Sequence, residues 1–491
     1  MLESIKQMFL ELDKNNIKYC HWKSNEHLDA SLLGDTDLDI LFLSEQRNEI
    51  DRILTTCGLK RFRATELMQY NAIEDFIGLD SESGKIWHLH AHHKLTFGQK
   101  HLKGHTMTEL GNNILKNRIR NSDGIYTSSY EDELILFFVR NALKLRWRDL
   151  FFKIDQDDIL ELKWLLKYFN YNKLKLTSRE YFNDEISNII ILLSNQEIDK
   201  KIQFYRLHRL LKKDLQLFTG YSTLTSWVVR SKREIYWGIG GIKRRLCLNA
   251  SKPYRRVSPS GGCVVVFLGS DGAGKSTTIK NVQREFGKKI DVKTVYLGSG
   301  DGSSSLFRKP MKWVAKKIGG KGLGQKLEKE NYKKNTKSSV KAKLYSCAKI
   351  IWAITLAQEK KKKLKIITRS RNNGMLVLVD RYPQTEIMGY NDGPLLSKFL
   401  LKGHGILYLI AKRELDIYKS AYMNKPDLTF KLVIPSELAI ARKPEMTIAE
   451  IEDKKNAVMK MHPCDRIVNI DTSVDIKKSL KIVMDNIWKI I

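Results

Sequence analysis

Residues 269–276 read Gly-Ser-Asp-Gly-Ala-Gly-Lys-Ser, the spacing G-x-x-x-x-G-K-[ST] of a phosphate-binding loop. Glycines at those points let successive backbone N–H groups turn inward on an anion, and a helix starting there adds its positive end. The lysine reaches β- and γ-phosphates, and the hydroxyl after it can ligate Mg²⁺. Gly269, Ser270, Asp271, Gly272, Ala273, Gly274, Lys275, Ser276 and Thr277 are therefore the candidate contacts to a nucleoside triphosphate. The context agrees. Cys263-Val-Val-Val-Phe-Leu268 is an apolar run suited to a buried strand, and the residues after Gly274 suit a helix.

Met375-Leu-Val-Leu-Val379 is a second buried-strand run, ending in Asp380-Arg381-Tyr382-Pro383. A carboxylate at the carboxyl end of a strand beside such a loop can hold Mg²⁺, directly or through water. The guanidinium next to it can clamp an acceptor's anion by paired hydrogen bonds. An Asp-Arg pair that merely ends a strand is the plain alternative. After a third such run, residues 428–434, comes Arg442-Lys443, a basic pair able to fold over a triphosphate or simply to face solvent.

Near the other end, Asp37 and Asp39 alternate on a strand-like run, so both carboxylates face one side and can hold a divalent metal. Ile86-Trp-His88-Leu-His90-Ala-His92 places imidazoles on one face of another run. Those histidines either join the two acids in a metal or substrate site or belong to a solvated hairpin. No cysteine is spaced to complete a closed zinc site with His88, His90, His92 and His93.

These residues need elements to hold them. Residues 1–110 read as short strands and helices, with a strand at 37–43 and a hairpin from Ala72 to His93 turning at Ser83-Gly84. Residues 111–230 read as helical, with a capping box at Ser128-x-x-Glu131 and further periodic segments at 157–168 and 184–194. Residues 231–262 form a basic connection punctuated by glycine and proline. Residues 263–491 alternate strands (263–268, 293–297, 375–379, 428–434, 466–470) with helical patterns, the longest at about 339–368 and stopped by Asn372-Asn-Gly374.

The 491 residues imply two or three domains. Neither a transmembrane run nor a signal-peptide pattern is evident, and six scattered cysteines suit reduced thiols in the cytoplasm. Formal net charge is +31, of which residues 305–371 supply 21 Lys/Arg against 3 acids. That run suits an anionic partner, nucleic acid or an anionic membrane, as readily as it suits a solvated loop.

Gly269-x-Asp-Gly-x-Gly-Lys-Ser-Thr277, Asp380-Arg381-Tyr382, and Pro426-Asp-Leu-Thr429 followed by Ala439-x-x-Arg442 together resemble the thymidylate kinase family of P-loop kinases, over roughly 263–475. The resemblance implies ATP and Mg²⁺ as cofactors and a catalytic set of Lys275, Asp271, Asp380, Arg381 and Arg442. Lys275 would lie on the donor phosphates, with Asp271 near the reacting groups. Asp380 would hold Mg²⁺ together with Ser276. Arg381 would hold the acceptor phosphate, and Arg442 would belong to the lid. One departure concerns the base: the family's Ser-x-x-Ala-Tyr-Gln after Asp-Arg-Tyr is replaced by Pro383-Gln-Thr-Glu-Ile-Met-Gly-Tyr-Asn-Asp392. Gln384, Glu386, Asn391 and Asp392 are the polar groups left there to read a different acceptor.

Asp37-x-Asp39, 13 residues after Ser24, resembles the nucleotidyltransferase superfamily, with Lys23-Ser24 where Gly-Ser is expected and imidazoles where a third carboxylate is usual. The resemblance implies a metal on Asp37 and Asp39, and a helical add-on at 111–230. The expected fold class is α/β: a C-terminal P-loop parallel sheet flanked by helices, an N-terminal α+β nucleotidyltransferase-like domain and a helical middle region. The expected function is γ-phosphoryl transfer from ATP to an anionic small-molecule acceptor, a nucleotide or a sugar or lipid phosphate. Fusions of this kind resemble those beside bacterial surface-polysaccharide genes. The alternatives are nucleotidyl transfer through Asp37 and Asp39 with a regulatory P-loop, or an ATP-switched protein that binds nucleic acid or membrane. Oligomerisation is compatible with either class.

Overall fold

A computed structural model of the chain describes residues 1–214, 220–245, 251–298, 340–388, 392–444 and 446–491. The chain divides into two compact units, Met1–Leu248 and Asn249–Ile491.

In the first unit the strands are β1 (Tyr19–His21), β2 (Leu38–Phe42), β3 (Lys60–Ala64), β4 (Ile73–Asp80) and β5 (Lys85–His92), with apolar side chains such as Ile40, Phe62, Phe76 and Leu89 buried along them. The short pair β6 (Leu95–Phe97) and β7 (His105–Met107) stands apart, and β8 (Ile119–Arg120) and β9 (Tyr126–Thr127) rejoin the main sheet. The run of neighbours is β3-β4-β5-β2-β1-β9-β8. β4 and β5 are the antiparallel hairpin read from the sequence, while β2 lies parallel to β5 with Asp39 opposite His90.

One apolar cluster joins this sheet to the helices that follow it: Trp22, Leu41 and Leu95 pack with Leu134, Phe138, Leu165, Ile190 and Leu207. Helix Tyr130–Lys144 lies at its centre, buried along most of its length. Its cap is Ser129, whose hydroxyl accepts the Asp132 N–H at 3.2 Å, not Ser128 as the S-x-x-E spacing predicts. The Ser128 hydroxyl is spent on Asn25 (3.0 Å) and Glu133 (3.4 Å). The glycine-punctuated stretch after residue 230 is helical as far as Arg245, within one helix Thr223–Arg245. Glycine costs about 1 kcal/mol in a helix interior. Here side-chain anchors offset it, among them Arg233 donating to the carbonyls of Gln69 (2.8 Å) and His101 (3.1 Å).

In the second unit, β10 (Arg256–Val257) precedes five strands: β11 (Cys263–Gly269), β12 (Val292–Tyr296), β13 (Leu376–Asp380), β14 (Leu428–Val433) and β15 (Ile467–Asp471). Their order is β12-β13-β11-β14-β15 and every neighbouring pair is parallel. Parallel strands covered on both faces read as unbroken apolar runs, and β11 and β13 are buried along nearly all their length. Helices flank the sheet, so the unit is the α/β class expected. Helix Val340–Asn372 ends at the predicted Asn-Asn-Gly stop, with Gly374 at φ +80°. Residues 305–339 of the basic run lie outside the described residues. Within the described part, Lys360 and Lys363 turn inward to Asp392 and the Tyr296 carbonyl. Among the described residues no helix is long and apolar enough to cross a membrane.

Candidate functional site

β11 is the central strand of its sheet, so the loop after Gly269 opens at the carboxyl edge where the strand order reverses. Gly272 (φ +84°) and Gly274 (φ +82°) both hold left-handed backbone. A Cβ at Gly272 would also stand 2.8 Å from the Ala439 carbonyl oxygen, so this turn requires glycine twice over. Helix Lys275–Gly287 starts directly on Gly274 and aims its free N–H groups into the loop.

The loop, the ends of β12 and β13 and the segment after β15 line a cavity of about 520 Å³. Lys275 lies at its floor, only 7% exposed. Its ammonium donates to the carbonyls of Gly269 (2.9 Å) and Ser270 (2.8 Å). Burial, reinforced by the Arg381 charge, pushes its pKa down to about 8. Ser276 and Thr277 open onto the same cavity.

Asp380 ends β13, in register with Phe267 of β11 and Tyr296 of β12. Burial raises its pKa. Its Oδ1 is buried without a hydrogen-bond partner among the described residues. Arg381 follows with φ +67°, a conformation that side chains with a Cβ adopt only at a cost. That turn aims the guanidinium back at the loop, where Nη2 donates to Asp271 Oδ1 at 3.0 Å and Nη1 lies 3.6 Å from Asp392 Oδ2. Lys454 grips the other Asp271 oxygen. Burial alone would raise the Asp271 carboxyl, but Arg381 and Lys454 hold it well below the usual carboxylate range. Arg442 donates to the carbonyls of Gly272 (3.3 Å) and Thr472 (3.2 Å), with Lys443 beside it on the cavity wall.

Thus Lys275, Ser276, Asp380, Arg381, Asp271 and Arg442, up to 171 positions apart in the chain, meet on one cavity. The acceptor-reading candidates fare differently. Gln384 is buried and clasps the Ile387 backbone through both ends of its amide (2.7 and 2.9 Å). Glu386 takes the Tyr422 hydroxyl (2.6 Å) and the His462 N–H (3.1 Å). Asp392 pairs with Lys360 at 3.1 Å. Asn391 lies outside the described residues. Lys454, Lys360 and Thr472 went unnoticed in the sequence, where nothing marks one lysine among the 86 Lys and Arg residues.

The first unit gathers a second set. Asp37 lies just before β2, and Asp39 within it. Register places Asp75 of β4, His90 of β5 and Asp39 of β2 in one row. His88 bridges Asp37 (3.0 Å) and Asp75 (2.8 Å), and Asp39 Oδ1 meets His90 (3.3 Å), His92 (3.1 Å) and Lys23 (3.1 Å). Two triads, Asp37–His88–His90 and Asp39–His90–His92, are close enough to share an ion. Burial works to raise Asp39, but Lys23 and the two imidazoles hold it well below the usual range. Burial drives His92 down to about 3, while the hydrogen bonds of Asp39 and Asp75 overcome burial and raise His90. Asp75 on β4 brings a further carboxylate to this set, 2.8 Å from His88 and 3.4 Å from His90.

No family model matches the chain. Two Escherichia coli (strain K12) relatives are similar to it. "Uncharacterized ATP-binding protein YghR" is 29% identical over 218 residues, 43% of this chain and 80% of the relative. "Uncharacterized ATP-binding protein YghS" is 28% identical over 193 residues, 39% and 77% of the two chains. Among solved structures, deoxyadenosine kinase from M. mycoides with bound dATP is similar over 46% of this chain and 98% of its own, at 15% identity and a TM-score of 0.24. Thymidylate kinase from Ehrlichia chaffeensis covers the same shares at 16% identity and a TM-score of 0.25.

Proposed function

We propose that the Asn249–Ile491 unit binds ATP with Mg²⁺ and transfers the γ-phosphoryl group to a phosphate-bearing small molecule. The observation that carries this reading is the convergence of Lys275, Asp380, Arg381 and Arg442 on the cavity above the glycine loop. The ATP-binding names of the two E. coli relatives support the choice of nucleotide.

Loop N–H groups and Lys275 would hold the donor's β- and γ-phosphates. The partnerless, buried Asp380 Oδ1 and the Ser276 hydroxyl fit a Mg²⁺ ion, directly or through water. When bound, the ion neutralises charge on the phosphate oxygens. Arg381 is fixed by Asp271, so it can take an acceptor phosphate without first being ordered. An acceptor oxygen bonds to the γ-phosphorus as the bridge to the β-phosphate breaks, and ADP leaves with that electron pair. A phosphate oxygen needs no base to lose a proton, which matches a site whose carboxylate nearest Arg381 is spent on ion pairs. Arg442 would offset charge on the transferring group.

One observation favours a second activity, nucleotidyl transfer in the first unit: Asp37, Asp39 and Asp75 converge on His88 and His90. The phosphotransfer reading is tested by ADP formation with Mg²⁺ across nucleoside monophosphates, sugar phosphates and polyprenyl phosphate. ADP release stimulated by one of these and lost in Lys275→Ala supports it. Release at the water background with every compound refutes it.

A further inference from the structure

Helix Thr223–Arg245 is oriented the opposite way from a helix that packs on a core. At about 100° per residue, Leu224, Trp227, Val228, Ile235, Ile239 and Ile242 fall on one stripe, with Ser231 and Gly238 between them. All six large side chains face solvent, at 80, 61, 54, 63, 46 and 59% exposure. The polar residues hold the helix to its unit from other faces. Arg233, 8% exposed, donates to the carbonyls of Gln69 and His101. Arg230 donates to Gln99 Oε1 at 2.5 Å, and Glu234 pairs with Arg146. The stripe is thus displayed by design of the anchors and is not the result of a loose helix. It spans 19 residues, about 28 Å. Isolated exposed apolar residues are ordinary, but a contiguous row of this kind marks an interaction surface.

Charge decides which surface fits. Residues 223–245 hold six Lys/Arg and one acidic residue, and beside the anchors Arg230 and Arg233 that leaves Lys232, Lys243, Arg244 and Arg245. A long helix with one apolar face containing tryptophan, set in a strongly basic segment, has the properties of a helix that lies in the plane of an anionic bilayer. The charges it carries bar it from crossing one. We propose that this helix docks the protein on an anionic lipid surface, with the Leu224–Ile242 stripe set into the acyl boundary and the exposed Lys232 at headgroup level. The docking itself does not depend on the kinase reading.

The test is flotation of the full chain with vesicles of phosphatidylethanolamine and phosphatidylglycerol, beside vesicles of phosphatidylcholine alone. The expected result is co-flotation with the anionic vesicles, weakened by added salt, with a blue shift of tryptophan emission. Replacing Trp227, Ile235 and Ile239 together by Ser should lower partitioning by about 100-fold or more, at unchanged melting temperature because all three side chains are exposed. Lys232→Glu, which leaves every apolar residue of the stripe in place, should lower it by about tenfold or more. Flotation that is absent, equal on neutral vesicles, or undiminished in the triple variant overturns the proposal. A wild-type dimer that the triple variant converts to monomer also overturns it, assigning the stripe to a second copy of the chain.

Discussion

Lys275 is only 7% exposed, and burial sets its pKa at about 8 rather than 10.5. A bound triphosphate supplies the opposite charge that the pocket lacks, so the pKa should return toward its ordinary value. Nucleotide binding must then take up protons wherever the free lysine is partly neutral. From a free pKa of 8, the uptake is about a tenth of a proton at pH 7, about half at pH 8 and about nine tenths at pH 9. The sign is fixed: affinity holds below pH 8 and falls above it, by about tenfold per pH unit at the limit. The last phosphate ionisation, near pH 6, offsets the small uptake at pH 7 but is about 97% complete or more from pH 7.5 upward, where the assay is run. The assay is calorimetry of MgATP binding at pH 7.5, 8 and 9 in buffers of different ionisation enthalpy. Lys275→Arg carries a charge that does not titrate, and should show weaker binding with no uptake. Wild-type binding with no proton uptake from pH 8 to 9 would refute the placement of a desolvated Lys275 against the phosphates.

Gly272→Val should abolish nucleotide binding, because φ +84° and the 2.8 Å approach to the Ala439 carbonyl both forbid a side chain; calorimetry checks it, with retained binding counting against the loop geometry. Glu133 is buried and its pKa is raised by burial to about 7. A raised acid costs stability as pH climbs from its unfolded value through 7, by about 3 kcal/mol for this shift. Glu133→Gln should therefore flatten the pH dependence of first-unit unfolding between about pH 4.5 and 7, measured by urea melts; an unchanged slope would count against it. Ser129→Ala should destabilise the same unit by about 1 kcal/mol through loss of the cap, where Ser128→Ala acts only through Asn25 and Glu133.

Much of the second unit was legible because its signals are local. A buried parallel strand reads as an unbroken apolar run, and β11, β12, β13, β14 and β15 lie within a residue or so of their expected places. The glycine loop carries its own spacing, and Asp380-Arg381 stands out as charge at the end of such a run. Pairings across long loops leave no such trace. Lys454 meets Asp271 across 183 residues, and Asp75 meets Asp37 across His88 and His90 through the register of three strands. Helix Thr223–Arg245 was hidden by its own glycines, since the arginine contacts that offset them belong to tertiary structure. At Ser128 and Ser129 two adjacent hydroxyls compete for one cap, and the demands of Asn25 and Glu133 decide between them.

The central claim is that γ-phosphoryl transfer occurs at the cavity above the glycine loop. ATP labelled at the γ-position, and separately at the α-position, is incubated with Mg²⁺, the full chain and the acceptor panel. The account predicts γ-label alone in an acceptor, lost in Lys275→Ala and kept in Asp37→Ala. Transfer of α-label that survives Lys275→Ala and disappears in Asp37→Ala would contradict it and move the chemistry to the first unit.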